Sequence, residues 1–440
     1  MTAAVAPQPH SFLNNPHGYL VVRPNTPVLP FAAPLATATF IDPSAHVIHG
    51  DHIEIGTKTY VAPYATLDAS TGYIKIGSGS EVLDNAIIQS NPNHNRVAPP
   101  SVLIGDSASI GYHATINGPS VIGAYGKSAK PTGIGANALI DGATIGPGSV
   151  VGPLAYVGPG VTVPSGVYVL PGVSVTNDAE ASNPALGKVI ALPAKILADL
   201  TTALTRGSQL ASGYTALYEG NAATGINTGV DPAVSPGVFN GNLAAVSGTS
   251  QQPGPTSATS PTGITFEPSK SGPKFPGPHT PQVEADLYNF RARVTGDVRF
   301  GSRVKVAGHK FGRSNSVRGD QGQPIAFYSS PNTGKGVTIT SPLGGSSTSG
   351  TTTTTVGGIA IGTGFQAGNG AVVLGGPTIS YAIGQDVSIG QNAVVDRSIL
   401  YSGATIGARS YISNSLIAPN TVIPAGTIMI NNVVVRTIQW

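Results

Sequence analysis

Residues 145–176 read IGPGSVVGPLAYVGPGVTVPSGVYVLPGVSVT, and within them Ile145, Val151, Val157, Val163, Val169 and Val175 recur every six positions without a break. A period of six fits neither the 3.6 of an α-helix nor the 2.0 of a single strand. It fits short flat strands joined by tight turns, with one aliphatic side chain per strand stacked inward and Gly, Pro, Asn or Asp at the corners. The same spacing extends N-terminally through Ile104, Ile110, Ile116 and Ile122, through Ile76, Val82 and Ile88, and through Ile55, Val61 and Leu67. The pattern predicts an all-β, left-handed parallel β-helix of hexapeptide repeats over residues 40–190, after an N-terminal extension of residues 1–39.

Beyond Val175 the period stops. The stretch beginning Leu192-Pro193-Ala194-Lys195-Ile196-Leu197 has helical spacing with Pro at its first turn, so residues 191–220 are expected to be helical and to pack along the solenoid. Residues 221–282 are rich in Gly, Ser, Thr, Pro and Asn and read as a flexible linker. The six-residue spacing then returns in Phe300 and Val306, Phe327, Thr333 and Ile339, Ile361, Ala367 and Val373, Ile383, Ile389 and Val395, and Ile406 and Ile412. A second left-handed β-helix is therefore expected over 283–440, with 344–358 extruded as a loop and Val433-Val434-Val435 forming a last strand that covers the open coil.

Composition narrows the function classes. Charged residues are only 10% of the chain, against about 25% in ordinary domains, and 23 Lys and Arg face 20 Asp and Glu. With no basic cluster to neutralise phosphates, a nucleic-acid partner is not expected. Cysteine is absent, which removes disulfides, thiolate metal sites and thiol nucleophiles. No window approaches the length of a membrane span and Met1–Asn15 lacks a secretory pattern, so a cytoplasmic location is expected.

Four segments resemble one family. Val82-Leu83-Asp84-Asn85-Ala86-Ile87-Ile88-Gln89 is similar to V-Q-D-N-x-x-I-H, and Ile110-Gly111-Tyr112-His113-Ala114-Thr115-Ile116-Asn117-Gly118 to I-G-H-x-A-x-x-H-G. In the second half, Arg318-Gly319-Asp320-Gln321-Gly322-Gln323-Pro324-Ile325 is similar to R-G-D-x-x-P-I, and Gly368-Asn369-Gly370-Ala371-Val372-Val373-Leu374 falls on the second metal segment. These motifs resemble those of the γ-class carbonic anhydrases, trimeric left-handed β-helices that carry zinc between subunits. The resemblance implies a duplicated chain that assembles as a homotrimer, with Arg318 and Asp320 as an intersubunit pair. The first half carries Asp68 and Ser70 at that pair's positions.

The metal positions depart from the family. Its three zinc histidines align with Gln89, Tyr112 and Asn117 in the first half and with Thr340, Asn369 and Leu374 in the second, and its catalytic Gln with Leu83 and Gly334. Amides, hydroxyls and a leucine neither hold zinc nor bring a bound water's pKa near 7. No metal and no cofactor are therefore expected. The chain reads as a pseudoenzyme, a catalytically degenerate γ-carbonic-anhydrase-like structural or protein-binding module. Two other classes stay open: an active carbonic anhydrase whose zinc has non-standard ligands, and a hexapeptide acyltransferase using His94 as general base in the loop Asn91–Pro100.

Lone histidines are weaker candidates. His113 lies one position past an aligned metal residue, an offset that reverses a side chain on a strand. His46, His49 and His52 cluster in sequence but need not share a face, while His309, Lys310, Arg313 and Arg318 form the most basic stretch and suit a solvated loop or an acidic partner.

Overall fold

Alternation along two- to four-residue strands turns the six-residue spacing into a solenoid, because every second side chain points in. The structure is a computed structural model and describes residues 21–22, 39–42, 44–90, 101–220, 292–296, 298–300, 311–319, 325–327, 331–340, 345–349, 352–356, 359–375 and 381–438. The chain divides into two compact units, residues 1–16 with 31–215, and residues 17–30 with 216–440.

The first unit is a left-handed parallel β-helix whose three faces are sheets of eight, seven and six strands. Each face contributes one aliphatic column to the core. On the first face Val61, Val82, Ile110, Ile134, Val151 and Val169 are in register. On the second the column is Leu67, Ile88, Ile116, Ile140, Val157 and Val175, and on the third Ile55, Ile76, Ile104, Ile122, Ile145 and Val163. All but Ile55, which packs partly buried against them, are buried in one cluster. Strands this short accumulate little twist, which relaxes the right-handed preference of parallel crossovers. The corners are left-handed turns, with φ of 57° at Asn85, 56° at His113 and 55° at Asn137. Coils also touch closely there: a Cβ on Gly111 would lie 2.5 Å from the Ile134 carbonyl oxygen of the next coil.

The solenoid is closed by an antiparallel return strand, Val189–Ala191 on Val167–Val169, and by a short helix α1 (Asp178–Ser182) that seals Ala181 into the core. Helix α2 (Ala194–Gly220) lies across the first face. Ser208 Oγ donates to the Lys58 carbonyl (3.1 Å), Leu200 sits over Gly133, and Gly207 lies directly on Glu81. Leu204, Leu210 and Ala211 are buried. No described helix is long and apolar enough to cross a membrane.

The second unit is also a parallel β-helix, with sheets of nine, six and five strands. Val317, Ile339, Val373, Val395 and Ile412 form one column. Phe327, Ile361, Ile383, Leu400 and Ile417 form another. The third runs Thr333, Ala367, Ile389, Ile406 and Ile423. Thr333 is tolerated in the core because its hydroxyl is used by Asn315 Nδ2 and the Gly312 amide.

Three expectations need correction or extension. The expected loop 344–358 contains an antiparallel hairpin, Gly345–Ser349 on Thr352–Val356, whose strand-forming Thr run overrides the turn reading. Within the N-terminal extension, Val21–Val22 pairs in parallel with Arg293–Val294, so those residues belong to the second unit. Val433–Thr437 does form a return strand on Thr427–Ile430, but it covers little: Val433, Val434 and Val435 are 58, 53 and 55% exposed. A register shift beside Val435 breaks its alternation and spoils the edge for further pairing. Val306, His94, His309, Lys310, Asp320 and residues 221–282 lie outside the described residues.

Candidate functional site

The outer side of the second face in the first unit holds the residues that align with lost metal ligands. Ile88, Ile116 and Ile140 point inward, so Gln89, Asn117 and Asp141, each one residue on, point outward in register. Gln89 Nε2 donates to Asn117 Oδ1 (2.9 Å) and Asn117 Nδ2 donates to Asp141 Oδ1 (3.1 Å). The direction of this chain is forced: an ionised carboxylate only accepts, so Asn117 turns its NH2 to Asp141, and its oxygen is left for Gln89. Asp68 continues the row beside Gln89 and accepts the Ser70 amide (2.9 Å). All four are half-buried.

The aligned set is thus only partly brought together. Gln89 and Asn117 are neighbours, while Tyr112 sits in a buried corner, 6% exposed, between the first and second faces. Leu83 lies at the same corner one coil earlier, its amide on the Ile110 carbonyl (2.8 Å). His113 is in that left-handed corner rather than on a strand, with its amide on the Asp84 carbonyl (3.0 Å), so the corner and not strand alternation sets its direction.

The second unit differs. Arg318, Thr340, Leu374, Asp396 and Ser413 are successive register partners on the nine-stranded sheet. Thr340 is fully buried and its hydroxyl has no hydrogen-bond partner. Leu374 offers no donor. Asn369 stands at a different place, an exposed corner, where its side-chain oxygen caps the Lys335 amide (2.7 Å) above Gly334. Asp396 accepts from Arg397 Nε (3.1 Å) and Nη2 (3.0 Å) and from the Ser413 hydroxyl (3.0 Å). Arg318 is fully buried within its own chain.

Zinc does not fit either set: Gln89 and Asn117 are neutral amides whose NH2 groups are donated along their row, and Thr340 stands in register with a leucine that has no ligand atom. Among the described residues no three His, Cys, Asp or Glu side chains gather around a point. His49 and His52 stack their rings, centroids 6.1 Å apart, and His46 lies on a strand.

One polar cluster had no sequence signal. On the third face Glu54 accepts from Tyr73 Oη (2.7 Å) and pairs with Lys75 (3.0 Å). The Tyr73 hydrogen bond, then Lys75, hold the Glu54 carboxyl below the usual range, and Glu54 in turn raises Tyr73. Lys75 also lies 5.5 Å from the Tyr125 ring, and Asp106 Oδ2 holds the Gly126 amide (2.8 Å). Burial first, then Asp106, pushes the Tyr125 phenol well up. The cluster pins the excursion around Tyr125 to the solenoid. Its members lie in coils of unequal length, which hides their proximity in sequence.

No protein-family profile matches the chain, and no curated protein matches it. Among solved structures, it is similar to a hexapeptide transferase family protein from Anaplasma phagocytophilum, 18% identical over 43% of this chain and 98% of that one, with a TM-score of 0.32. A Bacillus cereus protein assigned as an acetyltransferase is 18% identical over 43% of this chain and 96% of that one, with a TM-score of 0.21. A third, assigned the same way, from Desulfovibrio desulfuricans, is 12% identical over 89% of this chain and 69% of that one, with a TM-score of 0.21. Likenesses this distant carry no argument about activity, and the fold rests on the strand register described above.

Proposed function

We propose that the chain is a catalytically degenerate, γ-carbonic-anhydrase-like structural or protein-binding module that assembles as a homotrimer. The observation that supports this reading is the Gln89–Asn117–Asp141 chain: where the resemblance places two metal histidines, two neutral amides donate along a row that ends on a carboxylate. A site for hydratase chemistry needs lone pairs converging on a metal and a bound water made acidic by it. Rigid coils with a low-charge surface suit a scaffold instead, because flat faces with few charges are cheap to desolvate against a partner.

The test is elemental analysis of the purified chain together with stopped-flow CO2 hydration. Zinc well below one per chain, with hydration no faster than a heat-inactivated control, is expected. One tightly held zinc per chain with measurable hydration would overturn the reading. The acyltransferase alternative requires acyl-CoA turnover that disappears in His94→Ala.

A further inference from the structure

The two ends of the second solenoid are closed differently. Its last coil is covered by Val433–Thr437, which turns straight back on Thr427–Ile430 and pairs antiparallel. At its first coil, the sheets that start at Val298–Phe300 and at Asn332–Thr333 have no strand before them among the described residues. The nine-stranded sheet starts instead at Val21–Val22, which pairs in parallel with Arg293–Val294. A tight turn cannot supply a parallel neighbour, so this strand has to come from elsewhere in the sequence. It comes from the N-terminal segment, on the other side of the whole first unit in chain order.

The cap is also incomplete. It is two residues long on an edge of four, Arg293–Gly296, and leaves Thr295 and Gly296 without a strand neighbour on that side among the described residues. Pro24 keeps it short, because two residues beyond Val22 there is no amide to donate. A strand of this length is held by a few backbone hydrogen bonds, each worth about 1 kcal/mol net. It can therefore leave the edge while both solenoids stay folded.

We propose that Arg293–Gly296 is a strand-acceptor edge and that Val21–Val22 of a second copy occupies it, so that copies are joined by exchanging their N-terminal segments. The contacts made between copies are those made within one chain, so the balance between the two is set by concentration. Within one chain the tether from Val22 to Arg293 runs through the first unit and residues 221–291. That length places its effective concentration at or below the roughly millimolar value of short linkers. The link uses a backbone edge at the end of a solenoid rather than a side-chain face, and it depends neither on the trimer reading nor on whether the protein is an enzyme.

The chain has no cysteine, which allows a clean cross-linking test at the register partners Val22 and Val294. Full-length Val22→Cys and Val294→Cys variants are mixed without denaturant and treated with a short bis-maleimide. A covalent dimer joining the two substituted positions is expected, at least ten-fold above the product of Val22→Cys mixed with Val434→Cys. Val434 is exposed at the other end of the solenoid and reports chance collision. The dimer should grow with concentration and include half of the chains at or below about 1 mM. In a chain carrying both Val22→Cys and Val294→Cys, dilution should convert the dimer into an internal link. A dimer no more abundant than the collisional background, with only internal links in the double variant, would show that the cap stays with its own chain and would overturn the proposal. A double variant that forms neither link would overturn it as well, since Val21–Val22 would then not lie on that edge.

Discussion

Gly111 and Gly160 show why the hexapeptide carries glycine at two positions for different reasons. Gly111 follows an inward isoleucine, and an added methyl would sit 2.5 Å from the Ile134 carbonyl and 2.9 Å from the Ala136 amide of the next coil. Gly160 has φ of +74° with open space around its missing Cβ. Gly111→Ala is expected to lower stability by about 3 kcal/mol, the upper range for overpacking, because backbone on both sides must move. Gly160→Ala should lose only about 1 kcal/mol, the strain of a left-handed alanine. Denaturant melts of the two variants check the ordering, and equal losses would mean that the coils can spread at Gly111. Inward residues and these glycines were legible from sequence because each obeys a local rule within six positions. Asp141 was not, since it reaches Asn117 only through a coil whose length is set by the excursion at Tyr125. Asp396 was missed for another reason: Ser413 follows it by the 17 residues of an ordinary coil, a spacing that marks the inward column and says nothing of an outward Asp and Ser.

At the scale of an element, the closure of the first solenoid depends on one carboxylate. Asn177 caps α1 by accepting the Glu180 amide (3.0 Å), and Glu180 reaches back with Oε2 to the Thr176 amide (2.8 Å) while Oε1 takes Lys188 (2.5 Å). This is a variant of the capping box in which the acidic side chain also ties down the approach to the return strand. The Lys188 bond, then the Thr176 amide, hold the Glu180 carboxyl below the ordinary range. A depressed folded-state pKa means a contribution fully present above the unfolded value, about 4.3, and lost as pH falls through the folded value. Protection of the Thr176 amide against hydrogen exchange should therefore hold at neutral pH and fall below about pH 4. Glu180→Leu, which has no acceptor, should be poorly protected at both. Protection that is unchanged by acid in the parent would show that Ala181 packing alone closes the end. The helical period after Pro193 was legible because α2 is long, whereas α1 is five residues and has no period to show.

For the whole molecule, the repeat predicts two β-helices, and each has its own buried cluster. The resemblance makes Arg318 half of an intersubunit pair, yet its side chain is completely buried within one chain, on a strand between Thr295 and Thr340. A guanidinium removed from water must be paired and hydrogen-bonded, and deleting it leaves its surroundings uncompensated. Arg318→Ala is therefore expected to destabilise the second coil itself by about 3 kcal/mol, the low end for breaking a buried charge pair. Calorimetry and light scattering on the same samples separate this from a purely intersubunit role. If Arg318 acts within the coil, the melting temperature falls by the same amount at every protein concentration, whatever happens to the mass. If it acts only across a trimer seam, the mass drops at low concentration while a concentrated sample melts like the parent. The burial of Arg318 favours the first outcome, and a trimer that survives the substitution would then owe its contacts to other surfaces.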